Sequence, residues 1–167
     1  MVPFKGRLGI KQYIKDKPNK WGIKAFLLCD SQTAYCFRFE IYIARSSDFE
    51  GENLELTSAV VLNLTKGMEY KVHIVYTDNF YTSVVLAYNL KVCGICMVGT
   101  FRSNRKGYPK VLAEVKDKHL QRGQFRWQMT DKMSAIVWKD KRIVHCISTI
   151  HKPTTVQVAR RNKNGVV

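Results

Sequence analysis

The chain has no apolar run near the roughly 20 residues that a membrane-spanning helix needs. Its N-terminus, MVPFKGRLGIKQYIKDKPNK, lacks an apolar centre, which excludes a secretory signal there. These absences read as an intracellular protein with no membrane partner. No glycine-rich phosphate loop occurs, and no Ser/His/Asp or Cys/His order suggests a nucleophilic site. The five cysteines are an odd number without framework spacing, so no disulfide scaffold is expected and the thiols read as reduced. Cys93-Gly-Ile-Cys96 is a lone pair of the CxxC type. Zinc would need a second pair, and none stands at a suitable spacing, so no zinc is expected. A redox CxxC opens a helix, whereas this one closes a helix and enters a strand; core packing is the better account.

Acids are the scarcest charged class, 13 against 28 Lys and Arg, for a net charge of +15. The excess is uneven. Residues 1–100 hold 12 basic and 9 acidic residues, while residues 101–167 hold 16 and 4. A net of +12 in the shorter, distal part favours a polyanionic partner. Hydrophobic residues make up 46% and charged residues 25%, ordinary for a domain with a packed core.

The pattern along the chain is α/β. Residues 1–20 read as an irregular basic lead-in. Trp21–Cys29 is a compact apolar run, and Ala34–Ile43 alternates aromatic with polar residues; with the turn Asp30–Thr33 they make a β-hairpin. Residues 46–53 form an acidic loop. Over Leu54–Leu64, Leu56, Val60 and Leu64 recur at helical spacing. Val72–Thr77 is a β-branched strand, Thr82–Val92 a helix ended by Gly94, and Ile95–Phe101 a second strand. This βαβ unit implies a parallel pair, hence a mixed sheet. After the basic loop Arg102–Pro109, Val111–Lys118 suits a short helix. Gln124–Met129, Ser134–Trp138 and Arg142–Ile150 then read as an antiparallel meander, followed by a basic tail expected to lack structure.

Asp78 is the first candidate for chemistry. It stands just past a parallel strand and before a helix, where open α/β sheets place their sites. Helix capping is the competing account, since Asp, Asn, Thr and Ser of the segment DNFYTS all cap well. Two divalent ions would need further acids converging on Asp78. Asp30 reads as a turn residue, and Asp131 and Asp140 also lie at turns. Arg102, Arg105 and Lys106, just after the neighbouring strand, are candidate phosphate contacts.

Five segments together resemble the transposase domain of the piggyBac family: VPFKGR (2–7), KQYIKDKPNKWGIKAFLLCDSQTAY (11–35), YTDNFYTS (76–83), GTFRSNRKGYP (99–109) and WKDKRIVHCISTIH (138–151). They occur in the family's order and cover nearly the whole chain. The resemblance implies an RNase H-like fold that cuts and rejoins DNA with three aspartates and two Mg²⁺ ions, the second aspartate matching Asp78. It makes Asp78 a catalytic metal ligand in an incomplete site, Arg102 and Arg105 descendants of DNA-contacting positions, and DNA the partner. A nucleus-located protein follows, with room for a homodimer in a full-length form.

The resemblance also divides the chain into a partial RNase H-like core (1–101), a basic loop with a small antiparallel β insertion domain (102–151) and a basic tail (152–167). The family's first and third aspartates match no position in the chain. The expectation is a catalytically incomplete fragment that keeps electrostatic DNA affinity. A truncated reading of an active transposase and a domesticated interaction protein are the alternatives. The strand bearing the first aspartate is central in such a sheet. Without it, the hairpin and the Asp78 strand should expose unpaired backbone and apolar faces, giving a poorly stable or aggregation-prone product.

Overall fold

A computed structural model describes residues 1–43 and 56–154 and the backbone of residues 161–162 and 165–166. The acidic loop expected at 46–53 and the first two residues of the helix expected from Leu54 lie outside the described residues. Three short strands open the chain: β1 (Val2–Pro3), β2 (Lys11–Tyr13) and β3 (Trp21–Ile23). They form an antiparallel sheet in the order β1-β3-β2. The lead-in expected to be irregular thus holds two strands, brought in by pairing with β3. Gly22 makes this sheet possible, because a Cβ there would run into the backbone carbonyl oxygen of Val2.

The apolar run Trp21–Cys29 is not one strand. It breaks at Lys24, and β4 (Ala25–Cys29) turns to pair with β5 (Cys36–Ile41). The expected hairpin therefore exists, but β3 and β4 belong to different sheets. Its turn is held by Asp30, whose Oδ2 accepts bonds from the N–H (2.8 Å) and Oγ1 (2.6 Å) of Thr33. Those bonds lower the Asp30 pKa, the Thr33 hydroxyl first. The even positions of β5 face α1 (Leu56–Leu64). Arg38 donates to the carbonyls of Leu64 (3.2 Å) and Lys66 (2.7 Å) at the helix end, and Glu40 accepts from Asn63. Phe26, Val60 and Leu64 form a small core beneath. The odd positions face outward: Phe37 and Phe39 are 60% and 63% exposed, beside Leu27 and Ile41.

The main sheet has five strands, β6 (Ile74–Thr77), β7 (Cys96–Thr100), β8 (Phe125–Met129), β9 (Ser134–Lys139) and β10 (Ile143–Ser148), in the order β6-β7-β10-β9-β8. Only β6 and β7 are parallel, from Ile74 opposite Cys96 to Thr77 opposite Gly99. The rest is antiparallel, so the sheet is mixed as expected. Strand β6 starts two residues later than the pattern suggests, because Tyr70 and Val72 have positive φ, which a strand cannot accommodate. Helix α2 (Val84–Val92) crosses between β6 and β7. Ser83 caps it, accepting from the N–H of Leu86 (3.0 Å), and Gly94 at φ 68° ends it. Leu86, Ala87 and Leu90 pack with Val75, Ile95, Met97, Val137 and Ile147 in the main core.

The meander is not a separate sheet. Cys146, Ile147 and Ser148 of β10 pair with Thr100, Gly99 and Val98 of β7, so ladder bonds cross the boundary expected at 101/102. Tyr108 and Leu112 join the same core. The short helix expected at 111–118 is one turn, α3 (Lys110–Ala113), followed by a 3₁₀ turn at Asp117–His119. In the tail expected to lack structure, Arg161 and Asn162 (β11) pair with Val166 and Gly165 (β12). Most of the remaining tail lies outside the described residues. No helix among the described residues is long and apolar enough to cross a membrane.

Candidate functional site

Asp78 follows the last residue of β6 and is exposed. Its loop is built from its own backbone. The Asp78 carbonyl accepts from the N–H groups of Tyr81 (3.3 Å) and Thr82 (3.1 Å) and from Thr82 Oγ1 (2.6 Å). Thr82 Oγ1 also meets Thr77 Oγ1 at 2.8 Å. Gly99 on β7 lies directly beneath this pair, where a Cβ would collide with both hydroxyl oxygens. The cap of α2 is Ser83, so capping that helix does not account for the Asp78 carboxylate. One carboxylate oxygen, Oδ1, accepts from the Phe80 N–H at 2.9 Å in a local turn. The carboxylate stands at the C-terminal end of a parallel strand, facing out.

The three basic candidates divide. Arg105 is half-buried, and its guanidinium donates to the carbonyls of Thr82 (2.5 Å) and Phe80 (2.9 Å). It bolts the Asp78 loop to the segment after β7. Arg102 is exposed and reaches Asn79 Oδ1 at 3.5 Å, beside Asp78. Lys106 is exposed on the same basic loop.

Lys24 is a neighbour that the sequence pattern does not reveal. Its Nζ lies 4.8 Å from the Phe26 ring centre and 4.9 Å from those of Tyr42 and Phe80. Burial lowers its pKa. Three aromatic faces hold one cation against the loop that carries Asp78. Tyr81 packs on Phe80 and Phe26, and burial, then the Asp78 charge, raises its pKa, so it remains a neutral phenol. The aromatic residues that surround Lys24 come from β4, the segment after β5 and the Asp78 loop, and no local motif announces their convergence.

No group of three or more His, Cys, Asp or Glu that could hold a metal ion occurs among the described residues. Asp30 is occupied at the hairpin turn, as its sequence position suggests. Cys93 is the C-terminal cap of α2, Cys96 begins β7, and both are half-buried free thiols. A cleft of about 400 Å³ separates the two sheets, lined by Leu27, Cys29 and Asp30 of the hairpin and by His73, Ile74 and Tyr76 near β6. Among the described residues, β4 pairs only with β5 and β6 only with β7, so each has an open edge.

The site thus joins a carboxylate at the end of a parallel strand to two arginines of the next loop. A family model described as Transposase IS4 matches residues 1–166. The human PiggyBac transposable element-derived protein 3 is 29% identical over 154 residues, which are 89% of this chain and 26% of that protein. The human Chimeric ERCC6-PGBD3 protein is 29% identical over 154 residues, 14% of its length. Among solved structures, the piggyBac transposase in a synaptic complex with hairpin DNA superposes with a TM-score of 0.81 at 28% identity, covering 92% of this chain and 32% of that one. The chain belongs to the Transposase IS4 family, in its piggyBac-type branch. It spans about a quarter of the first of these relatives and about a third of the solved transposase.

Proposed function

We propose that the chain is a DNA-handling segment of a piggyBac-type transposase domain, with Asp78 as one inherited metal-binding carboxylate and Arg102 and Lys106 as phosphate contacts. The observation that carries this reading is the Asp78 loop. Its carboxylate is exposed at the end of β6, its backbone is pinned by Thr82 and Arg105, and Arg102 stands beside it. Arg105 acts through the loop rather than on DNA. The similarity to a transposase solved with hairpin DNA and the charge excess of residues 101–167 support DNA as the partner. A nuclear location accords with that partner.

The sheet is read as a partial RNase H-like arrangement. The open edges of β4 and β6 and the cleft between them support this, since one more strand would satisfy both edges.

Transposases of this kind are metal-dependent, and a pair of Mg²⁺ ions would clamp the attacking and leaving oxygens of phosphoryl transfer. The described residues do not fit that pair, because no group of three or more His, Cys, Asp or Glu that could hold a metal ion forms among them. No bond-breaking step is therefore assigned to them. Asp78 supplies one ligand, and the described residues bind and orient DNA.

The test is fluorescence anisotropy with labelled duplex DNA across a salt series. Each phosphate contact contributes about −0.9 to the slope of log K against log salt. Arg102→Ala and Lys106→Ala should each flatten the slope by about one contact. A salt-insensitive affinity, or none at low salt, refutes the reading.

A further inference from the structure

Strands β2 and β3 place Tyr13 directly opposite Trp21, and Lys11 opposite Ile23. In an antiparallel pair these four side chains share one face. Tyr13 and Trp21 are 52% and 51% exposed, with ring centroids 4.9 Å apart and planes inclined at 56°. Isolated exposed aromatics need no explanation, but two rings in contact on a three-residue ladder are a preformed aromatic surface. Lys11 Nζ lies 5.0 Å from the Trp21 ring centre.

The surroundings are cationic. Residues 1–24 hold seven Lys or Arg, at positions 5, 7, 11, 15, 17, 20 and 24, against one acid, Asp16. Lys5, Arg7, Lys15, Lys17 and Lys20 are all exposed. The chain runs from Trp21 directly to Lys24, whose ammonium lies against Phe80 beside Asp78. At about 3.3 Å per residue, that places the ring pair roughly 10 Å along the chain from Lys24. Exposed aromatic faces flanked by cations are what unpaired bases stack on, because every base has a π-face and its phosphate is an anion. Duplex DNA hides those faces within its own stack.

We propose that Tyr13 and Trp21 form a stacking platform for unpaired bases of single-stranded DNA, with the exposed Lys15, Lys17 and Lys20 on its phosphates. The inference rests on the DNA reading above and adds the strand form that this surface selects. Bases stack on the outer faces of the two rings, and the backbone runs past Lys15, Lys17 and Lys20.

The test uses the 167-residue chain with two labelled probes, a twelve-nucleotide thymidine oligomer and a twelve-base-pair duplex. Stacking contributes ~1–3 kcal/mol per base, so Trp21→Ala should weaken oligomer binding by roughly 5- to 150-fold. Duplex affinity should change by less than about twofold, since the phosphate contacts remain. Trp21→Phe should retain most of the oligomer affinity, which separates stacking from a loss of folding. The oligomer should quench tryptophan fluorescence in the native chain and much less in Trp21→Phe. Equal losses for both probes, or no loss for either, overturn the platform while leaving DNA binding in place. Absence of any DNA binding by the native chain overturns both readings.

Discussion

Removing the Arg105 guanidinium should loosen the Asp78 loop without unfolding the sheet. The side chain spends two donors on the carbonyls of Thr82 and Phe80, at 2.5 and 2.9 Å, from a half-buried position. Hydrogen bonds from a charged donor contribute ~1.5–3 kcal/mol each, and partial exposure discounts the pair, so Arg105→Ala should cost ~3 kcal/mol. For a chain of this size each kcal/mol moves the melting temperature by about 2–4 °C, which gives a fall of roughly 6–12 °C. Arg105→Lys should recover less than half, because an ammonium cannot reproduce the two-pronged geometry. Hydrogen exchange localises the effect. The amides of Tyr81 and Thr82, which donate to Asp78, should lose protection, while those of Leu86 and Leu90 keep theirs. If Arg105→Ala instead leaves stability within about 0.5 kcal/mol and lowers DNA affinity as Arg102→Ala does, Arg105 is a phosphate contact and the bolt is refuted.

Three further outcomes follow from packing and ionisation. Gly99→Ala should destabilise the chain by ~1–3 kcal/mol in urea titration, because a methyl group there meets the hydroxyls of Thr77 and Thr82. Burial lowers the pKa of His145, whose Nδ1 lies 3.2 Å from the Tyr108 hydroxyl. Stability from the neutral ring is therefore present above the unfolded value near 6.5 and falls as pH drops through the lowered folded value; His145→Gln should flatten that part of the urea-midpoint profile. The outward row of Phe37 and Phe39 should drive concentration-dependent association, seen as rising mass in light scattering, and Phe37→Thr with Phe39→Thr should suppress it. A monodisperse native chain at high concentration would refute that expectation.

The parts legible in the sequence are those whose signal is local. The β6-α2-β7 unit announces itself through β-branched residues, helical spacing, Ser83 and Gly94, and Asp78 is legible because its place depends on that unit alone. The hairpin is equally local, held by Asp30 and Thr33. The break at Lys24 is not legible, because Gly22 serves a close approach of β1 and no turn residue stands at the break itself. Whether WGIKAFLLC forms one strand or two is decided by which partners arrive, β1 and β2 for one half and β5 for the other. Arg105 is visible as a basic residue, but its role is fixed by two backbone carbonyls more than 20 positions away. The same holds for Lys24, whose three rings come from separate segments.

The pairing of β7 with β10 has a consequence for how the chain assembles. Residues 101–142 are synthesised between the two strands, so β7 must wait, one edge open, until β10 emerges. Closing so long a loop carries an entropic cost before any ladder bond forms, which makes this pairing a late and slow event in folding. A cut between 101 and 142 would strip β7 of its neighbour rather than release a module. Ladder pairing thus ties the strand next to the Asp78 strand to a segment made more than 40 residues later.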